Sequence, residues 1–192
     1  MFSSAQAAHS LDVPMWFRMF CVGVHSAPLV EQPPRDNTGR WMDCLGWKTA
    51  EGDVTIDVPG KGKLGDCLNM VGGYEIISPR AHYVLTQMRI HDNVRFRDIL
   101  VVRAALKTRD KWYWMYCEDE LDVVDWDRSI VLKAPSDPGR GLVYRGVLDS
   151  RKLPPVDIFF GNTGFLYVSD ALRLRFHEEG LKGFSVEEVE VV

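Results

Sequence analysis

The residues best able to do chemistry lie in one acidic run between positions 118 and 127. The run contains six carboxylates, namely Glu118, Asp119, Glu120, Asp122, Asp125 and Asp127. Converging carboxylates can hold a divalent cation, but this run lacks the glycine and the terminal glutamate of an EF-hand loop. Two interpretations stay open: the acids form the solvated face of a turn, or they form a docking surface for a basic protein.

Tryptophan side chains accompany these acids. Trp126 lies inside the run, and Trp112 and Trp114 precede it. Aromatic side chains commonly anchor protein interfaces, and nearby carboxylates speed the encounter with a basic partner. The pattern therefore predicts a partner-binding site made of seven residues: Trp126, Asp125, Asp127, Glu120, Asp119, Trp112 and Trp114.

Cysteine and histidine side chains are the remaining candidates for catalysis. The four cysteines, Cys21, Cys44, Cys67 and Cys117, form no CxxC pair, which argues against a zinc knuckle or a dithiol redox site. Cys44 or Cys67 could act as a nucleophile beside a spatially adjacent histidine, so an enzyme with a Cys/His pair is an alternative. His177 lacks a second histidine one turn later, unlike a zinc-protease helix. We predict no catalytic, cofactor-binding or metal-binding residues.

Charge and hydropathy restrict the class of partner. The formal net charge is −4, which argues against a nucleic-acid partner because phosphate contacts need a basic surface. The sequence Gly60-Lys61-Gly62-Lys63 resembles part of a phosphate-binding loop, yet it is more typical of a turn. Arg18 interrupts the apolar segment 15–24, and no run of about 18 apolar residues exists, so we expect no membrane association. These features predict a cytoplasmic protein with reduced thiols.

Two segments 91 residues apart share one local pattern that could position the site. In the second segment, the strand-like residues 165–168 precede Ser169, a typical helix N-cap, and Gly180 is placed to end the helix. In the first segment, a strand ending at Ile77 precedes Ser78 and Pro79, which suit an N-cap and a first helical position.

Together these patterns predict the fold and its domains. We expect a mobile tail over residues 1–10 and one α+β domain over residues 11–192. The domain would contain short, mainly antiparallel strands and two or three modest helices. It would consist of two related strand–helix–strand halves at about 50–105 and 140–192. The turn-rich stretches 31–39 and 134–141 are predicted to be loops.

Several sequence blocks between about residue 50 and the end follow an order typical of one protein family. They are Gly65–Leu68, Ile76–Arg80, Leu121–Ser129, Ile158–Phe160, Tyr167–Leu172 and Glu179–Phe184. With these blocks the chain resembles immunity family eleven of bacterial polymorphic toxin systems, although Phe160 stands where the family usually has arginine.

The resemblance implies a cytoplasmic bacterial protein that binds and blocks a cognate protein toxin, which the acidic run suggests is basic. It transfers no catalytic residue. We expect the protein to be a monomer or a homodimer. A module that self-associates through its aromatic strands is a third alternative, beside the inhibitor and the enzyme.

Overall fold

A computed structural model describes residues 14–23, 30, 32–38, 52–68, 75–134 and 137–192, with backbone only over 131–144. The predicted tail at 1–10 and Cys44 lie outside these residues. The two α-helices of the described part are α1 (Pro79–Thr86) and α2 (Asp170–Glu178). Its strands are β1 (Trp16–Cys21), β2 (Val54–Asp57), β3 (Glu75–Ile77), β4 (Val94–Arg103), β5 (Thr108–Cys117), β6 (Ile130–Ala134), β7 (Asp137–Arg145), β8 (Val147–Leu148), β9 (Ile158–Phe160), β10 (Leu166–Ser169) and β11 (Phe184–Val191).

The strands form two larger sheets and one hairpin. The orders are β8-β11-β1-β10-β9 and β2-β4-β5-β3, and β6 pairs with β7. Both larger sheets are mixed, because β2–β4 and β8–β11 pair in parallel while their other strand pairs are antiparallel.

The predicted α+β class with short, mainly antiparallel strands is therefore wrong, since the protein is mainly β with two mixed sheets. Two features of the chain explain the error. The strands β4 and β5 each run for 10 residues, and β7 occupies most of the stretch 134–141 that was predicted to be a loop. The parallel pairing of β2 with β4, in which Val54 lies opposite Ile99, is a long-range contact that local sequence patterns cannot reveal.

Both predicted helix caps are confirmed. The Ser78 Oγ accepts a hydrogen bond from the Ala81 N–H at 3.1 Å, and the Ser169 Oγ accepts one from the Leu172 N–H at 3.2 Å. Each bond satisfies a backbone donor that the first helical turn leaves without an intrahelical partner. Gly180, with φ +62°, follows α2 in the left-handed conformation expected there. No helix of the described residues is long and apolar enough to cross a membrane.

The two sheets repeat one arrangement of strands. β5 lies between β3 and β4, just as β1 lies between β10 and β11. The aligned pairs Ile77–Tyr113 and Val168–Phe17 place β5 and β1 in the same register against β3 and β10. The sequences of the inserted strands correspond as well, WFRMFC in β1 and WYWMYC in β5. Each sheet thus receives a similar middle strand, and the N-terminal one completes the C-terminal sheet.

One hydrophobic cluster joins the two halves. It contains Leu85 of α1, Phe176 of α2, Met19 of β1 and Met115 of β5, all buried. Separate clusters cover the other faces of the sheets, with Ile99 and Trp114 in one and Phe159 and Tyr167 in the other. The central strands therefore bury apolar surface on both faces, which stabilises the scaffold.

Candidate docking surface

The loop between β5 and β6 presents the most exposed tryptophan of the predicted site. Trp126 keeps 46% of its surface accessible. Directly before it, the Asp125 carboxylate accepts hydrogen bonds from the N–H groups of Asp127 at 3.1 Å and Arg128 at 3.2 Å. These bonds hold Trp126 in a tight turn, because a short acidic side chain can accept hydrogen bonds from the backbone N–H groups that follow it.

Ser129 ties this turn to the sheet. Its Oγ donates to the Asp125 carbonyl at 2.6 Å and accepts from the Val147 N–H at 2.9 Å. The Asp125 N–H in turn donates to the Val147 carbonyl at 2.8 Å. Trp126 is therefore held on a backbone fixed to β8, which lowers the conformational entropy that binding would remove.

The beginning of the loop is anchored on the opposite edge of the same sheet. The Asn93 amide donates to the carbonyls of Asp119 and Phe160, both at 2.7 Å. The Leu121 N–H also donates to the Phe160 carbonyl, at 3.0 Å. Val123, a residue of the loop itself, is fully buried against Phe159 and Tyr167 of the sheet. The acidic segment is consequently an ordered layer over the sheet.

Neighbouring cations neutralise part of the acidic run. Glu118 pairs with Arg95 at 2.8 Å, and Asp122 pairs with Lys152 at 3.1 Å. The hydrogen bond from Lys152 lowers the pKa of Asp122. Asp125 lies 3.8 Å from the Arg128 guanidinium. These pairs reduce the negative charge that a partner would meet.

Three acids of the predicted site form no ion pair with any residue in the described ranges, namely Asp119, Glu120 and Asp127. Partial burial raises the pKa of Glu120.

A cleft of about 390 Å³ opens beside Trp126, and Asp149 and Arg151 line it. A hydrogen bond from Arg151 lowers the pKa of Asp149 to about 2, so this wall of the cleft carries a closed ion pair.

Trp112 and Trp114 do not belong to this surface, and their assignment to the partner site is wrong. Their exposed fractions are 7% and 2%, and both pack in the cluster that covers β2, β4 and β5. They lie in the middle strand of a sheet that is covered on that face, so a partner cannot reach them as anchors. The structure thus brings Asp119, Glu120, Asp125, Trp126 and Asp127 together in one loop and separates the other two residues from it.

Cys67, a candidate nucleophile of the alternative enzyme, lies in the central cluster. Its thiol donates to the Gly183 carbonyl at 2.7 Å and packs against Cys21. Burial raises the pKa of the Cys21 thiol. Structural thiols buried in a core are poor nucleophiles. In the described part of the chain, no group of three or more histidine, cysteine or acidic side chains could hold a metal ion.

Two features of the site went unrecognised in the sequence. The first is Ser129, which joins the Trp126 turn to β8. Its position four residues after Asp125 was a usable signal, because polar residues at such short spacing are typical of hydrogen-bonded turns. The second is Asn93, whose amide holds the loop to β9 and which carries no local signal.

Comparison with protein-family models gives no match for this chain, and comparison with curated proteins gives no significant one.

Proposed function

We propose that this protein binds a cognate bacterial toxin and blocks it by protein–protein occlusion. The observation that carries the proposal is the exposed indole of Trp126 on a loop whose backbone is held at both ends. Large aromatic side chains on pre-ordered backbone are the usual energetic centres of interfaces. The resemblance of the sequence blocks supports the same function, and its block Leu121–Ser129 coincides with this loop.

Affinity and association rate have different sources in this mechanism. Burial of the Trp126 side chain in a pocket of the toxin supplies affinity, since a fully desolvated indole contributes more than any rim contact. The carboxylates of Asp119, Glu120 and Asp127 attract a basic toxin surface and speed the encounter. Their contribution is screened by salt, because they are exposed or half-buried.

Co-expression with the protein encoded by the neighbouring gene tests the function. The native chain should rescue cells from that protein and co-purify with it. The Trp126→Ala variant should lose rescue. A matched control is Tyr83→Ala, which removes an aromatic side chain that is 65% exposed on a different element, α1. Failure of the native chain to rescue or to co-purify would reject the function. Rescue by Trp126→Ala, or loss of rescue by both variants alike, would reject the Trp126 surface.

A further inference from the structure

A second charged region lies at the far end of the sheet β2-β4-β5. Five cations collect around the turns that follow β2 and β4, namely Lys61, Lys63, Arg103, Lys107 and Arg109. None of them has a carboxylate within 4.0 Å among the residues that the structure describes. Most other cations with described side chains do form ion pairs. This concentration of unpaired positive charge, in a protein of net charge −4, favours a ligand of opposite sign at this end of the sheet.

Arg103 is the unusual member of this group. Only 9% of the residue is exposed, and its Nη2 donates to the Gly62 carbonyl. Its Nε has no hydrogen-bond partner and is shielded from solvent. A buried guanidinium without a carboxylate raises the positive potential of its surroundings, since the protein interior screens charge less than water does. The turn Gly60–Lys63 above it adds two exposed ammonium groups.

A cleft of about 640 Å³ lies at this end of the sheet. Its apolar lining comes from Val58, Pro59, Val102, Ala104 and Ala105, directly beyond the carboxyl ends of the parallel strands β2 and β4. A cleft of this volume suits a small molecule.

The charges at the rim of the cleft favour an anion. Arg109 is the cross-strand neighbour of Val102, so it stands beside the cleft, and Lys61 follows the lining residue Gly60. Asp57 also lines the cleft, but its carboxylate accepts a hydrogen bond from Arg35 and forms an ion pair with it.

From this combination of an apolar cleft and unpaired cations, we propose that the cleft binds a phosphorylated small molecule of nucleotide size. The apolar walls contact the flat body of the ligand. Lys61 and Arg109 at the rim contact its phosphate groups, and Lys63 and Arg103 add positive charge from the adjoining turn and strand end. The site is separate from the Trp126 surface and does not depend on the toxin-binding proposal.

Calorimetric titration of the full chain with ATP in EDTA tests the proposal. We expect binding at low salt that weakens as salt is raised. The combined variant Lys61→Ala/Lys63→Ala/Arg109→Ala should bind ATP about tenfold more weakly or worse. All three side chains are exposed, so the fold should persist. The control Lys182→Ala removes one exposed charge from the segment after α2 and should bind like the native chain.

Two further titrations separate the cleft from a bare basic patch. Ala105→Phe narrows the cleft without removing charge and should also weaken ATP binding, whereas tripolyphosphate should bind more weakly than ATP. The proposal is overturned if ATP does not bind at millimolar concentration. It is overturned equally if tripolyphosphate binds as tightly as ATP and Ala105→Phe has no effect, or if a short single-stranded RNA displaces ATP at far lower concentration.

Discussion

Asp66 and Asp157 make the same hydrogen bonds in the two halves of the protein. The Asp66 Oδ1 accepts from the Ser78 Oγ at 2.9 Å, and the Asp157 Oδ1 accepts from the Ser169 Oγ at 2.9 Å. In both cases the serine follows the aspartate by 12 residues and caps a helix. Each aspartate therefore fixes the side chain that begins the helix of its own half.

The second oxygen of each carboxylate reaches into the opposite half. The Asp66 Oδ2 accepts from the Lys182 N–H at 2.8 Å, after α2, and the Asp157 Oδ2 accepts from the Arg89 N–H at 3.1 Å, after α1. The backbone N–H of each aspartate donates to the carbonyl of the same residue, at 2.6 Å for Lys182 and 2.7 Å for Arg89. The two halves are thus joined by reciprocal polar contacts as well as by the shared core.

Removal of the Asp157 carboxylate should strongly destabilise the protein. Asp157 is buried and also accepts from the Arg89 Nε at 3.0 Å, so Asp157→Ala leaves several donors without a partner. We expect a loss of about 2–4 kcal/mol in the free energy of unfolding. Asp98→Ala breaks an exposed ion pair with Lys111 and should cost about 0–1 kcal/mol. Urea unfolding compares them, and equal losses would show that the buried contact adds nothing.

Glu75 should make stability depend on pH. Burial raises its pKa above 4.5, and its Oε2 has no hydrogen-bond partner. Because the folded state holds this proton more tightly, the associated stability is complete below the unfolded pKa and is lost as pH rises through the folded pKa.

Glu75→Gln keeps the shape of the side chain and removes the ionisation. We expect the variant to raise the unfolding temperature at about pH 8 and to leave it nearly unchanged at about pH 4. Thermal unfolding at the two pH values checks this, with Glu178→Gln at an exposed helical position as the control. A gain of equal size at both pH values would contradict the ionisation argument.

Gly183 should tolerate no side chain. Its φ is +97°, and a Cβ added there would lie 3.0 Å from the Gly23 Cα. Gly60 has φ +70° with no atom within 4 Å of the added Cβ. Gly60→Ala should therefore cost about 1 kcal/mol for conformation alone, and Gly183→Ala about 2 kcal/mol more. Chemical unfolding measures both, and similar losses would mean that the backbone moves apart without cost.

Local signals predicted the helices correctly, whereas long-range pairing was beyond them. Ser78 and Ser169 could be assigned as caps because a cap depends on the residues of one turn. The burial of Trp114 depends on segments that cover its sheet, and an alternating aromatic strand does not reveal which face is covered. The matching tryptophan, methionine and cysteine positions of β1 and β5 are a local signal of the repeat that can be read from the sequence.

The same contrast between local and long-range structure separates the predicted docking residues into two groups. One short turn contains Asp125, Trp126 and Asp127, so their proximity followed from the sequence alone. Trp112 belongs to a strand, and its position relative to the turn depends on the sheet order. The unpaired cations near Arg103 come from the turns after two parallel strands, so their clustering was invisible before the strand pairing was known.

Ser129 should control the rigidity of the Trp126 turn. Ser129→Ala removes the donor to the Asp125 carbonyl and leaves the Val147 N–H without this acceptor, at an expected cost of about 1–2 kcal/mol. Hydrogen exchange at the Val147 amide should accelerate. Ser185→Ala, at an exposed position of β11, should change neither quantity. Unchanged exchange at Val147 in Ser129→Ala would show that the turn is held by other contacts.

The dissociation constant of the complex with the protein encoded by the neighbouring gene tests the central claim most directly. Calorimetry should show that Trp126→Ala weakens binding at least about tenfold, while Tyr83→Ala changes it by less than about twofold. Equal affinities of the native chain and Trp126→Ala would contradict the account, because the indole would then contribute nothing to the complex.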